Sequence, residues 1–529
     1  MKQKIIVILP ALCALLFYAG LAGAWQDEKR YKVQGYLETD LRLTLPLKEA
    51  SGMEDFNFIF SENTFRLKGS FRISETVKAV VDGKMVFSGM MSGDSFDDLS
   101  WREKVDPVRF ENDALYLQVT DFLLPGLDIR LGRQIIVWGT ADKFNPTSNI
   151  NSLDLEDPLK FGEYIANEII NISYTHPYFL SGENKVFEEF TFHFLVIPLF
   201  RPAQVPFWAK NAFTDPDLFR QRVNADEMFE LITLQETFAD AGGIVEYDIH
   251  TQTPDISFKN VQIAMKLAWV LFNIDMSVSY YRGFDDMLQA ERVYADDIHL
   301  KEYPAGQTDT LVDLINSVDV EGSKILNTIT LSYPRMHAIG ADFSASLDRL
   351  GGLGLWGEVA FFIHPERYYH IRTSGAWAPG LGGQEVYIPV DDTQLVQDIE
   401  GNWFYKISAG IDYSIFSWWY INLQYMHGFV DEFGMNNLQD YILLTNDFKF
   451  FDDKLLLRAV GMVCIHPGTN DRDDPDDYSF MLYPEVVLSF WRAVDISIGM
   501  LYQGGTKTGK FGSALSGPSL VFVKGRVSI

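Results

Sequence analysis

Hydrophobic and polar residues alternate along most of the chain, which is the pattern of β-strands with one apolar face. Residues 33–45 carry mostly valine and leucine at odd positions and mostly polar residues at even positions. The end of the chain, residues 516–529, repeats the alternation, with valines on one face and Lys524 and Arg526 on the other. The period therefore predicts an all-β protein whose strands present an apolar face from end to end.

Eighteen such strands are predicted, and the connections between them alternate between short and long. An even number of strands with short turns at one end and long loops at the other is typical of transmembrane β-barrels of bacterial outer membranes. We therefore predict a single transmembrane antiparallel β-barrel of about 18 strands (16–18), with short periplasmic turns, long extracellular loops and periplasmic termini. The last strand closes the barrel against the first, which leaves no edge in lipid. The predicted strands are 33–45, 63–73, 76–89, 113–122, 127–138, 167–180, 187–198, 258–271, 273–284, 336–347, 353–363, 402–415, 418–429, 440–450, 454–465, 479–490, 494–505 and 516–529.

The ends of the chain and its composition fit this interpretation, although a secreted all-β protein would show the same alternation. A basic start, an apolar run and a small-residue site at Ala22-Gly23-Ala24 predict a signal peptide over residues 1–24, followed by the barrel over 25–529. Cys464 is then the only cysteine left, so no intrachain disulfide is expected. Acidic residues exceed basic ones by 28, which argues against nucleic-acid binding.

Three stretches go beyond periodicity. The sequence "LDIRLGRQIIVWGTADKFNPTSNINSLDLEDP" (127–158), together with residues 355–366 and 410–432, resembles a porin-like family of Gram-negative outer-membrane barrels of poorly defined function, similar in outline to alginate-export barrels. The resemblance implies handling of hydrophobic compounds or a role in lipid-type efflux. A structural role is the alternative, with Gly132 and Gly139 allowing bulges or close approach and Arg133 pairing with an acid at the rim. The residues that fall on the family pattern are Arg130, Arg133, Gln134, Trp138, Gly139, Asp142, Asn145, Pro146, Glu358, Asp412, Gln424 and His427.

Charged residues on the predicted inward faces are candidate pore-lining residues. Cations concentrate on the last strand and the first strands, and acids on the strands about half a circumference away. One interpretation is a cationic wall facing an anionic wall, which would orient dipolar solutes and set selectivity. The other is that these charges pair locally with their neighbours. The candidates are Arg42, Arg66, Lys68, Arg72, Arg130, Lys524, Arg526, Asp275, Asp342, Glu358 and Asp412.

Two of the long connections, 199–257 and 285–335, are predicted to form a lid or plug with short helices, because loops of this length are uncommon unless functional. Residues 225–239 and 308–320 have the composition of one helix each. The apolar residues of 199–257 need cover from water, which predicts that it folds over or into the pore mouth. The connection 139–166 is predicted as a further outer loop. The candidate lid residues are Phe207, Trp208, Phe213, Met228 and Phe229.

Motifs that carry chemistry are scarce, so no catalytic residue, metal site or cofactor is predicted and the protein is not expected to be an enzyme. The acidic stretch 471–478 is interpreted as a solvated loop, with loose divalent bridging to lipopolysaccharide as the alternative. The predicted function is a channel for small or amphipathic molecules. The alternatives are export of polymer or lipid-like material from a periplasmic partner, and surface binding through the outer loops. Outer-membrane lipid, lipopolysaccharide and the barrel-assembly machinery are the expected partners.

Overall fold

The structure is a computed structural model, and it describes most of the chain after the predicted signal peptide, which lies outside the described residues. The described residues are 30–45, 58–91, 95–160, 162–176, 187–206, 209, 226–304, 311–365, 368–373, 375–380, 384–389, 394–398, 402–435, 438–465, 478–506, 509–513 and 516–529.

Eighteen antiparallel strands form one closed barrel, which confirms the predicted fold class. The first strand pairs with the second over Tyr31–Leu43 and with the last over Tyr36–Leu45, so the ring has no free edge. The strands, numbered in chain order among all strands of the described residues, are β1 (Tyr31–Leu45), β2 (Phe58–Arg72), β3 (Val77–Ser88), β4 (Val108–Val119), β5 (Leu127–Gln134), β8 (Asn167–Thr175), β9 (Phe187–Ile197), β11 (Gln262–Leu271), β12 (Ile274–Phe284), β15 (Arg335–Leu347), β16 (Leu353–Ile363), β21 (Trp403–Phe416), β22 (Trp419–His427), β23 (Asp440–Phe450), β24 (Leu455–Cys464), β25 (Ser479–Trp491), β26 (Val494–Gly505) and β27 (Ser519–Ser528).

The outer face of the barrel is apolar, and the alternation of residues sets this face. On β1, Leu37 and Leu41 are exposed, whereas Asp40 and Arg42 between and beside them are buried inside. Aromatic rings gather at both ends of the outer face, for example Trp418 stacked on Phe416 at the short-turn end. An apolar band between aromatic girdles is the surface that a barrel presents to lipid. No helix among the described residues is long and apolar enough to cross a membrane.

Short turns join the strands at one end of the barrel and long connections join them at the other, as predicted. One of the two-residue turns has Phe272 and Asn273 between β11 and β12, and both residues have positive φ (53° and 60°). Two successive residues with positive φ match the right-handed twist of the flanking strands. Because the strand number is even, both described ends of the chain lie at the short-turn end.

Three long connections combine into a small α/β domain beyond the barrel, which was not predicted. Strands β13 (Gln289–His299) and β14 (Lys324–Ser332) continue from the barrel strands β12 and β15 and form the middle of a seven-stranded sheet. The helices α2 (Asp226–Asp240) and α3 (Leu311–Asn316) confirm the two predicted helices, and Phe238 and Leu314 pack in the core of this domain. The other strands of the sheet are β10 (Ile244–Gln252), β17 (Tyr368–Thr373), β18 (Ala376–Pro379), β19 (Glu385–Ile388) and β20 (Gln394–Asp398). The remaining short elements are α1 (Arg102–Val105), β6 (Leu153–Asp154) and β7 (Glu163–Tyr164).

Closure by backbone hydrogen bonds gives a first testable expectation. The barrel should resist unfolding by SDS until it is heated, because every strand is paired on both edges. The unheated protein should therefore migrate as a compact form, and a reductant should not change this, since Cys464 is a free buried thiol. Migration at the same position before and after heating, or recovery in a soluble periplasmic fraction, would contradict a transmembrane barrel.

Candidate functional site

The chain between β5 and β8 lies inside the barrel. We call residues 135–166, of which 161 is not described, the lumen segment. Its Asp157 accepts hydrogen bonds from Arg42 of β1, its Thr147 donates to Glu358 of β16, and Asn422 of β22 donates to its Asp142. Because β1 and β16 are on opposite sides of the ring, one segment can reach both only by crossing the lumen. The prediction of an outer loop over 139–166 is therefore wrong, since inward-facing charges of the wall bind this segment.

Asparagine and serine side chains hold the lumen segment in its turn. Asn151 accepts a hydrogen bond from the backbone of Ile136 (2.7 Å) and donates to the carbonyl groups of Gln134 (3.0 Å) and Ile165 (2.9 Å). One buried amide thus joins the two ends of the segment to its middle. Such side chains satisfy backbone groups that have no strand partner. The polar run "NPTSNINS" therefore serves as the internal scaffold of a loop whose described regular structure is the short β6–β7 pair.

Apolar residues seal the lumen segment against the wall in the half of the barrel near the long connections. Trp138 and Ile150 pack against inward residues of seven neighbouring strands, including Phe362 and Phe404. On the other side, Phe144 packs in a second cluster with inward residues of β22–β27. The inward face of β27 changes accordingly, from Leu520 and Phe522 in this half to Lys524 and Arg526 below. Among the described residues, a packed core therefore fills much of this half of the barrel.

Glu358 fixes the lumen segment to β16. Its carboxylate accepts hydrogen bonds from the backbone of Ala141 (3.0 Å) and from the hydroxyl of Thr147 (2.6 Å). Gly139 must be a glycine here, because it has φ +97° and a Cβ atom would lie 2.4 Å from the Glu358 carboxylate. Two parts of the family-like pattern, which are distant in sequence, therefore meet at one contact. This contact is the close approach that the structural interpretation of Gly139 anticipated.

Arg42 fixes the opposite end of the lumen segment. Its guanidinium is 1% exposed and bonds to Asp157 and, at 2.6 Å, to Asp40. Burial alone would raise the pKa of Asp157, but the bonds and charge of Arg42 outweigh burial and lower it to about 2. The carboxylate is therefore ionised at neutral pH. A buried cation shared between two carboxylates is a strong and directional anchor.

The other half of the lumen, toward the short turns, is lined by charged side chains that water reaches. We call this half the vestibule. Lys68 and Arg526 have side chains 49% and 44% exposed there. Lys524 lies 3.3 Å from Asp40, and Arg66 lies 2.8 Å from Asp82. Four cations predicted to line the pore, Arg66, Lys68, Lys524 and Arg526, are thus placed on the inner face, each with a carboxylate partner.

The remaining candidate residues are distributed differently. Asp342 accepts from Ser277 and lies 3.6 Å from Lys266, so it is paired within the wall. Asp275 and Asp412 are inward and reached by solvent, as is Arg72 at the end of β2. Arg130 lies over the ring of Tyr116. The acids opposite the cations therefore do not form one anionic wall, because Glu358 binds the lumen segment and Asp342 binds its neighbours.

Other motif residues have structural contacts. Arg133 pairs with Glu168 (3.2 Å) on the outer side of the rim, as the structural interpretation predicted. His427 contacts Asp440 (2.9 Å), also at the rim. The candidate lid residues Phe207, Trp208 and Phe213, and the acidic stretch 471–478 up to residue 477, lie outside the described residues. Met228 and Phe229 lie in α2. A lid formed by these five residues over the pore mouth stays a prediction. Over the described ranges, no cluster of His, Cys, Asp and Glu is arranged to hold a metal ion.

A closed barrel with an apolar outer face, a charged inner face and an internal segment defines a transmembrane β-barrel of porin-like architecture. No protein-family model and no curated protein matches the sequence. Among solved structures, the chain is similar to Acinetobacter baumannii OccAB3 (8% identity, 94% of this chain and 99% of that chain, TM-score 0.48). It is also similar to Pseudomonas aeruginosa OccK8 (8%, 94% and 98%, 0.44) and Pseudomonas putida OprB (9%, 96% and 97%, 0.40). At this level of similarity the fold rests on the strand pairing of the chain itself, and similarity to alginate-export barrels stays a prediction.

Proposed function

We propose that the chain is an outer-membrane channel that moves small or amphipathic molecules, with the lumen segment forming its narrowest part. The observation that carries the proposal is the segment's course from Arg42 to Glu358 across the lumen. A structural barrel has no need of an internal segment held by buried charges at both walls. A segment at mid-lumen reduces the cross-section and brings polar groups to any molecule that passes. No covalent chemistry is required.

The vestibule supports the same function. Inward cations and carboxylates follow one another along β1–β4 and β27, so a charged surface in contact with water leads toward the lumen segment. Rings of charged side chains select among permeating ions. Because these cations are paired, the vestibule carries less net positive potential than the sequence alone indicates.

Reversal potentials in planar bilayers test this function. The purified protein should conduct, and replacing Arg66, Lys68 and Arg72 together by glutamate should shift selectivity toward cations, since Asp82 then loses both of its cationic partners. Asp275→Lys with Asp412→Lys should shift selectivity toward anions. Arg102→Glu, on an exposed connection outside the lumen, serves as the control for a charge reversal away from the pore. A protein that passes no current in bilayers would refute a pore lined by these residues. Equal reversal potentials for the triple variant and the control variant would also refute it.

The outer α/β domain favours a second candidate, a surface-binding barrel that acts through its long connections. This domain has its own apolar core with Ile298, Ile325 and Leu314, and a loop that merely joined strands would not need one. The two candidates are separated by conductance. A binding barrel without transport stays silent in bilayers, whereas a channel conducts even when the outer domain is blocked by an antibody fragment.

A further inference from the structure

A cavity lies between the lumen segment and the wall formed by β12, β15, β16, β21 and β22. The cavity volume is about 70 Å³, and the cavity opens to solvent. One water molecule needs roughly 10–15 Å³ of such space, so the cavity can hold several waters or a small organic group in their place. Its walls come from the lumen segment on one side and from inward residues of the barrel on the other, so a molecule inside it would touch both.

Aromatic rings supply the apolar surface of the cavity. Phe362 and Phe404 stack at 4.8 Å with their planes 12° apart, and Phe200 meets Phe284 edge to face at 5.5 Å. Phe144 and Phe429 complete this lining. Flat faces and ring edges favour a ligand with a planar or alicyclic body, because such a body gains contact with several rings at once.

Two lysines supply the polar recognition. Lys406 on β21 is 9% exposed and donates only to the carbonyl groups of Phe429 (2.7 Å) and Val430 (3.3 Å). No carboxylate of the described residues lies within ion-pair distance of Lys406. Lys143 lines the same cavity from the lumen segment and is exposed to solvent. Lys406 is therefore the buried ammonium group without a carboxylate in direct contact, which is costly, and an acidic ligand would supply a partner.

The acids of the cavity do not cancel this preference. Asp286 accepts a hydrogen bond from the backbone of Leu153 (2.7 Å), which ties the lumen segment to the end of β12. Burial and the neighbouring charge of Asp285 raise the pKa of Asp286 to about 7. The raised pKa favours the neutral form of the Asp286 carboxyl group.

We propose that this cavity binds an amphipathic organic acid, with its rings among the phenylalanines and its acidic group at Lys406 and Lys143. The inference rests on the proposed function insofar as the ligand is a permeating or regulating molecule of the channel. A molecule bound there would contact both the wall and the lumen segment. The site is therefore placed where a ligand can alter how firmly the segment is held.

Fluorescence titration of the purified barrel in detergent tests the proposal with three probes of one shape: 2-naphthoate, 2-naphthamide and 2-naphthylmethylammonium. Naphthoate should bind saturably, and the amide should bind about tenfold more weakly, as expected for the loss of one charge-assisted hydrogen bond. The ammonium probe should bind more weakly still. Lys406→Gln and Lys143→Gln should each weaken naphthoate binding, whereas Lys104→Gln, on the exposed connection between β3 and β4, should not.

Each variant is first checked for the heat-dependent shift in SDS, and Lys143→Gln decides if Lys406→Gln does not assemble. Equal binding of the three probes, binding no greater than to empty micelles, or an assembled Lys143→Gln variant with parental affinity would overturn the proposal. The outcomes separate the two proposals. A protein that conducts but does not bind naphthoate refutes only the ligand site, and one that binds but never conducts refutes only the channel.

Discussion

Replacing the whole lumen segment with a two-residue turn should raise single-channel conductance several-fold. The replacement is feasible because Gln134 and Asn167 are paired partners on neighbouring antiparallel strands, so an Asn-Gly turn can join them directly. The barrel should still close, since all eighteen strands and the pairing of β1 with β27 are kept. Conductance rises because the apolar core that fills half of the lumen loses its central layer.

The measurement is the distribution of unit conductance in planar bilayers for barrels that pass the heat test in SDS. Shortening the exposed connection between β3 and β4, by removal of residues 95–104, is the matched control, because Phe96 and Trp101 there are exposed to solvent. The control should conduct like the parent. If the turn variant assembles and its conductance equals that of the parent, the lumen segment is not the constriction.

The barrel could be predicted because the alternation of apolar and polar residues is a local property of each strand. A strand that separates lipid from lumen must alternate at every second residue, so each of the eighteen strands is visible in its own stretch of sequence. The inward placement of Arg66, Lys68, Lys524 and Arg526 follows from the same period. Their pairing does not, because Asp82 and Asp40 become neighbours only through strand register.

The lumen segment could not be predicted in this way. It has no periodic pattern, and its anchors join residues far apart in sequence, such as Thr147 with Glu358 and Arg42 with Asp157. The family-like pattern around Gly139 was a pointer to this site, although the residues alone did not indicate which partner they meet. The outer sheet was missed for a different reason. Strands β13 and β14 continue barrel strands beyond the length of a membrane crossing, so they were assigned to a loop.

The second large effect is expected at the buried anchor. Asp157→Asn should loosen the lumen segment, because it removes the charge that Arg42 meets inside the barrel while keeping the size of the side chain. Breaking a buried ion pair from one side typically costs roughly 3–5 kcal/mol, since the other charge stays buried. Asp40 keeps both of its hydrogen bonds from Arg42 but is shared with Lys524, so it cannot replace the lost carboxylate.

The expected readouts are a lower temperature for the shift in SDS and larger current fluctuations in bilayers, as the segment leaves and re-enters its position. Asp106→Asn is the matched control, because Asp106 pairs with Arg102 at 3.4 Å with both side chains exposed. An exposed pair contributes only about 0–1 kcal/mol, so this variant should behave like the parent.

The pH dependence of the stability that the anchor provides follows from the lowered pKa of Asp157. The anchor stabilises the parent above pH 4 and weakens as pH falls toward 2, whereas Asp157→Asn has no such anchor to lose. Equal shift temperatures and equal current noise for the two variants would show that Arg42 and Asp157 do not hold the segment in place.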